Sequence, residues 1–183
     1  KGGMELSPTE AFADVFVYDD GEGFYEHVAE VLERECELLT AKANELRARQ
    51  MRKCVISSAE PFTVVVIDEM LSITDEVSDP VLKRRIGNAL HRILRQGRAP
   101  GWTVVACVQD PTKEALGSRT SRGFVQRICL RVNDYNQADV VLGPGVRTTH
   151  GADAHLIPKD RPGEAYVWDD ELGEALKIRF KWV

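Results

Sequence analysis

The sequence predicts an α/β protein, a parallel sheet flanked by helices, and three observations carry that expectation. Two short apolar runs, residues 62–67 and 102–108, are nearly uninterrupted and rich in β-branched side chains, as strands covered on both faces of a parallel sheet are. Between them lies a segment with helical periodicity, and a longer one precedes the first run. Strand, helix and strand joined by short links give a sheet layered by helices.

Taken in order, residues 13–18 form a short apolar run that can be a strand. From Phe24 to about Arg52 there is neither proline nor glycine, and Phe24, Val28, Val31, Leu32, Leu39, Ala43 and Leu46 recur at helical spacing, which predicts one long helix with a single buried face. Residues 54–61 hold two serines and a proline and read as a loop. The first strand is Phe62-Thr63-Val64-Val65-Val66-Ile67. A polar link leads into a second helix over residues 81–96, ended by Gly97 or Gly101. Residues 102–108 are the second strand and 124–132 a third, with Ile128 and Leu130 alternating with arginines. A short helix over 137–142 precedes Gly143-Pro144-Gly145, and residues 165–168 and 176–182 are expected to close the chain as two strands.

The 183 residues, 43% hydrophobic and 29% charged, suffice for a proper core. No apolar run is long enough to span a membrane, and no signal peptide leads the chain. A net charge of −5 excludes a uniformly basic nucleic-acid binder while leaving room for local basic loops. The charge is polarised. Residues 14–37 hold nine acids and one base, Arg34, whereas residues 83–98 hold six bases and no acid. Arg119, Arg122, Arg127 and Arg131 mark a second basic stretch. Cys36, Cys54, Cys107 and Cys129 lack the paired spacing of a zinc site or disulfide framework and read as reduced cytosolic thiols. His150, Asp153 and His155 read as a polar loop, with a metal cluster as the alternative.

The sharpest chemical signal is Val64-Val65-Val66-Ile67-Asp68-Glu69. Ligands of open parallel sheets sit at the carboxyl ends of the strands, where two adjacent acids have distinct uses. Asp68 can hold the hydration shell of Mg²⁺ on nucleotide phosphates, and Glu69 can orient and polarise an attacking water. This is a Walker B pattern; the alternative is a buried strand that ends in two solvated acids. Gln109, at the tip of the next strand, is placed to sense a γ-phosphate, or is a polar cap. Arg92, Arg95 and Arg98 are either a solvated face or include an arginine that reaches a neighbour's site. Lys83, Arg84 and Arg85 can meet DNA phosphates, which require only positive charge.

Together the motifs resemble the FtsK/SpoIIIE family of DNA translocases. Lys1-Gly2-Gly3-Met4-Glu5-Leu6, Val66-Ile67-Asp68-Glu69, Gln96-Gly97-Arg98-Ala99-Pro100-Gly101 and Cys107-Val108-Gln109-Asp110-Pro111 follow one another as in that family. Residues 126–132, 139–145 and 163–168 continue the match. The plasmid-transfer and integrative-element branch of actinobacteria is the most similar. The resemblance implies a RecA-like ATPase that uses ATP and Mg²⁺, acts as a homo-oligomeric ring, usually a hexamer, and pulls double-stranded DNA through its centre. It implies that Asp68 and Glu69 are the Walker B pair, Gln109 the polar sensor, Arg98 the trans-acting arginine and Lys1 the lysine of an Asp-Pro-Lys motif. A cytoplasmic motor is expected, with room for a membrane-anchored amino-terminal region in the full-length protein.

The sequence departs from the family in three places. Asp110 and Asp139 stand where cell-division members carry arginine, so no role is transferred to them. No Gly-Lys-Ser or Gly-Lys-Thr occurs anywhere in the chain, so the loop that cradles phosphates is missing. Residues 1–183 are therefore read as one RecA-like motor domain whose phosphate loop is expected upstream, and whose isolated chain binds ATP weakly or not at all. The alternative is a non-catalytic RecA-like interaction module that has lost the loop.

Overall fold

The computed structural model describes residues 6–19, 21–112 and 123–181; Lys1, Arg119 and Arg122 lie outside them. The chain divides into two compact units, residues 1–109 and 110–183.

In the first unit, a 3₁₀ turn at Ser7–Phe12 is followed by helix α1, Phe24–Ala48, strand β1, Thr63–Ile67, helix α2, Met70–Thr74, helix α3, Pro80–Gln96, and strand β2, Trp102–Ala106. The run at residues 13–18 is not a strand: among the described residues no ladder partner holds it, and Val15 and Tyr18 are exposed. Helix α1 buries Val28, Ala29, Leu32, Cys36, Leu39 and Leu46, close to the face its periodicity predicts. Helix α3 begins at Pro80 behind Asp79, whose carboxylate accepts from the amides of Val81 and Leu82 at 2.6 and 3.2 Å, satisfying two of the helix's orphan donors.

The two long helices pack along their lengths. Arg85 donates to Glu33 through two nitrogens at 2.9 and 2.7 Å, the Cys36 thiol to the Ala89 carbonyl at 3.4 Å, and Arg92 to Thr40 at 2.7 Å. Partners advance together in steps of three or four residues, so α1 and α3 run in the same direction. Ile86, Ala89, Leu90 and Ile93 fill the buried face of α3, and each large side chain so buried contributes about 1.5–3 kcal/mol.

Strands β1 and β2 pair in parallel, Thr63 opposite Trp102 through Ile67 opposite Ala106. The expectation of strands buried on both faces fails here. Ile67 and Val104 are buried, but Val64, Val66 and Val105 are about half exposed. One face of the pair is bare, and among the described residues no third strand joins it.

The turn from α3 into β2 explains Gly97-Arg98-Ala99-Pro100-Gly101. The Gly97 carbonyl accepts from the amides of Gly101 and Trp102 at 2.9 and 2.8 Å. A Cβ on Gly97 would lie 2.6 Å from the Ile93 oxygen and 2.8 Å from the Trp102 oxygen. Gly101 has φ +101, a left-handed conformation that side chains disfavour.

The second unit contains strand β3, Gln126–Leu130, helices α4, Tyr135–Leu142, and α5, Val146–His150, then strands β4, Glu164–Asp169, and β5, Glu174–Arg179. The third strand does not extend the parallel pair. It lies antiparallel to β4, and β4 antiparallel to β5. Cys129, Tyr166, Trp168 and Ala175 share one face and pack on Ala138, Leu142, Val146 and Ile157. Ile128, Leu130 and Leu176, on the other face, are about half exposed.

Candidate functional site

The parallel register decides which residues meet. Because Ile67 stands opposite Ala106, the segments after both strands leave the sheet at the same end. Two further main-chain bonds lock that end: Cys107 N–H to the Ile67 carbonyl at 2.8 Å, and Met70 N–H to the Cys107 carbonyl at 2.9 Å. Asp68, Glu69 and Gln109 are thereby brought together.

Glu69 is half-buried and caps α2, accepting from the Leu71 amide at 3.2 Å through Oε1. Its Oε2 accepts from the Gln109 main-chain amide at 3.1 Å. Asp68 is half-buried and makes no hydrogen bond or ion pair among the described residues. Cys107 is exposed beside them, and desolvation first, then the charges of Asp68 and Glu69, push its thiol pKa upward.

A groove of about 580 Å³ runs from these acids along β1, lined by Asp68, Glu69, Val64, Val66, Phe16 and Phe24 among others, a volume within the range of small-molecule sites. No three His, Cys, Asp or Glu side chains among the described residues cluster to hold a metal directly. An uncommitted Asp68 carboxylate therefore fits a hydrated Mg²⁺ held through water. The sequence has no Gly-Lys-Ser or Gly-Lys-Thr.

Arg98 is not brought to the acids. It is exposed in the turn ahead of β2, at the opposite end of the strand, and five residues of strand span about 16 Å. The three cations in the first turns of α3, Lys83, Arg84 and Arg85, differ from one another. Arg85 is engaged with Glu33, and Lys83 lies 3.3 Å from the Asp75 carboxylate. The Arg84 side chain is exposed and makes no hydrogen bond or ion pair among the described residues. The Glu33 carboxyl is held below its ordinary pKa chiefly by the hydrogen bond from Arg85. The acidic and basic runs thus answer each other in part across α1 and α3, which their opposite charge could have signalled.

In the second unit, Asp110 accepts from Gln137 at 2.8 Å and Asp139 accepts from Arg147 at 3.1 Å, so both departures from the family pattern have local structural partners. The His150 ring lies tilted against that of Trp168, Asp153 accepts from Arg147, and His155 meets the Tyr135 ring edge-on. The metal alternative for these three gains no support from that arrangement. The contact sequence reasoning missed is the main-chain link between Gln109 and Glu69, since a backbone donor leaves no residue signature.

No protein-family model matches the chain. Solved structures place it in the RecA-like α/β class. The conjugation coupling protein TcpA of pCW3, solved as a monomer with ATPγS, superimposes with a TM-score of 0.71 at 17% identity, over 85% of this chain and 44% of that one. The cytoplasmic domain of the type VII secretion ATPase EccC of Thermomonospora curvata gives 0.66 at 18% identity, over 88% and 18%.

In sequence, the chain is 25% identical to the DNA translocase FtsK of Chlamydia trachomatis over 135 residues, and 25% identical to that of Chlamydia muridarum over 130. The resemblance to FtsK/SpoIIIE-type ATPases is therefore present in both sequence and fold. The chain spans 16% and 15% of those two relatives.

Proposed function

We propose that this chain carries the Mg²⁺-holding and water-activating half of the ATPase site of a double-stranded DNA translocase motor acting in DNA transfer. The observation that carries the reading is the meeting of Asp68, Glu69 and Gln109 at the carboxyl end of β1 and β2. Asp68 would hold the water shell of Mg²⁺, and the Gln109 side chain would meet the terminal phosphate. Glu69 takes the proton of the water that attacks it. Mg²⁺, when bound, neutralises charge on the phosphates.

In this reading the two units form one motor domain. Segments bearing the phosphate loop cover the bare face of β1 and β2, where Val64, Val66 and Val105 are exposed, because parallel sheets are normally covered on both faces. Arg98, at the far end of β2, serves the site of a neighbouring copy in a homo-oligomeric ring, and of Lys83, Arg84 and Arg85 it is Arg84 whose side chain is left without a partner among the described residues and can meet DNA phosphates.

In the complete protein, Glu69→Gln is expected to retain Mg–ATP binding and to lose turnover by roughly 10²-fold or more; normal hydrolysis would overturn the assignment. Arg98→Ala is expected to lose hydrolysis while still assembling. Mixing it with Glu69→Gln should restore part of the activity, since some interfaces then combine an intact Glu69 with an intact Arg98. No recovery on mixing would count against a shared site.

A second reading, a non-catalytic RecA-like interaction module, is favoured by the absence of Gly-Lys-Ser or Gly-Lys-Thr. The encoding gene separates the two. A GxxxxGK[ST] ahead of Lys1 supports the motor, and initiation at Met4 supports the module.

A further inference from the structure

Helix caps are ordinarily short side chains, Ser, Thr, Asp or Asn, whose oxygen reaches an amide two or three residues ahead. Glu69 caps α2 with a side chain one methylene longer than that task requires. The added length has a second use: Oε2 crosses from the end of β1 to the tip of β2 and accepts the Gln109 N–H at 3.1 Å, while Oε1 keeps the Leu71 amide at 3.2 Å. A carboxylate accepts only, through about four lone-pair sites. With a main-chain donor on each oxygen, its orientation is set by α2 and β2 together.

Three further bonds hold the main chain at this end of the sheet. Ser72 Oγ donates to the Glu69 carbonyl at 2.7 Å, anchoring the Glu69 main chain. The Cys107 amide and carbonyl bind Ile67 and Met70, so the strand is clamped up to that residue. Beyond Cys107, the hydrogen bond back to the β1 end among the described residues is that from Gln109 to Glu69. The Gln109 residue is itself exposed. A single residue thus presents a main-chain donor to Glu69 and a side-chain amide to solvent.

We propose that Gln109 is a positioning residue that acts through its main chain: its N–H parks the Glu69 carboxylate against Leu71, and a phosphate engaging its side chain draws that N–H away and frees the carboxylate to face a water. The inference rests on the proposed ATPase reading and deepens it, because sensing and release become two ends of one residue.

The test is a spectroscopic one on the complete protein, with ¹⁵N at residues 71 and 109 and with Mg–ATPγS and Mg–ADP as probes. Without nucleotide, Glu69→Asp is expected to move the residue-109 amide proton upfield and leave the Leu71 amide in place, because Asp can cap the helix but cannot reach β2. Mg–ATPγS is expected to move the residue-109 amide the same way in the unsubstituted protein, and Mg–ADP to leave it unmoved. In Gln109→Ala, which keeps the N–H and lacks the side chain, the amide is expected to stay parked with both nucleotides.

An amide at position 109 that ignores Glu69→Asp overturns the parking. If the position-109 amide of the Gln109→Ala variant answers Mg–ATPγS as the glutamine does, the release is overturned. Failure of Mg–ATPγS to bind overturns the ATPase reading and the release step with it, while the Glu69→Asp comparison still decides whether residue 109 holds Glu69.

Discussion

The two units build their sheets in opposite ways. In the first, β1 and β2 are parallel and 39 residues apart in register, Thr63 against Trp102, and α2 and α3 lie in the crossover that joins them. In the second, β4 and β5 are consecutive antiparallel neighbours, Asp169 against Glu174, and β3 is added to the hairpin by its own ladder. Parallel pairing requires a crossover, whereas a hairpin needs only a turn. The chemistry-bearing residues sit on the sheet that depends on distant packing. A site at the ends of two parallel strands is therefore only as well placed as the helices that hold those strands in register.

The largest expected effects concern the two cores. Leu90 in α3 and Leu142 in α4 are both essentially fully buried, and Leu90→Ala and Leu142→Ala are each expected to cost about 3 kcal/mol. Amide exchange is expected to rise across α1 and β1 for the first substitution and across β3, β4 and β5 for the second. The comparison breaks if Leu90→Ala leaves α1 as protected as before, since α1 would then not depend on α3 for its stability.

The same contrast governs what could be read from sequence. Helices α1 and α3 were legible because their apolar spacing is long and regular, and Asp68 and Glu69 because the β-branched run before them is uninterrupted. The second unit's strands were legible as strands, but the direction of β3 was not. Alternation of Arg127, Cys129 and Arg131 with Ile128 and Leu130 specifies an extended segment with two unlike faces, and that pattern is in fact characteristic of antiparallel sheets. The double burial expected for β1 followed from its β-branched composition, which does not specify whether one face or both are covered; Val64 and Val66 are about half exposed. Part of the site was hidden for another reason: the donor that holds Glu69 is a backbone amide, and the partners Glu33 and Arg85 are separated by 52 positions.

A smaller effect tests how tightly the first unit's register is set. Gly97→Ala places a methyl group against two backbone oxygens, at 2.6 and 2.8 Å, and backbone cannot move aside as a side-chain tip can. A destabilisation of about 2 kcal/mol is expected, together with a displaced Arg98, which thermal unfolding and the Arg98 mixing experiment would report separately. A neutral Gly97→Ala would mean that the α3–β2 turn is slack and that β2 is positioned from elsewhere.

The smallest effect is expected in the slope of stability against pH, and it comes from the cluster at the end of α1. Arg49 first, then the Cys54 thiol and Lys42, hold the Glu60 carboxyl down from 4.5 to about 2. A carboxylate whose pKa is depressed by folding adds stability above its unfolded value and loses it as pH falls through its folded value. The contribution of Glu60 is therefore complete above about pH 4.5 and disappears progressively toward pH 2. Because the partners are solvent-screened, Glu60→Gln should lower the midpoint of thermal unfolding only slightly at pH 7. It should flatten the decline between those two values. The hydrogen bonds involved tie α1 to the loop that leads into β1, whereas the ladder of β3, β4 and β5 holds no part in them. A pH slope unchanged by Glu60→Gln would show that the loop before β1 is held by its main-chain bond from Cys54 to Ala99 at 2.7 Å rather than by charge, and the register of the parallel pair would then rest on packing and backbone alone.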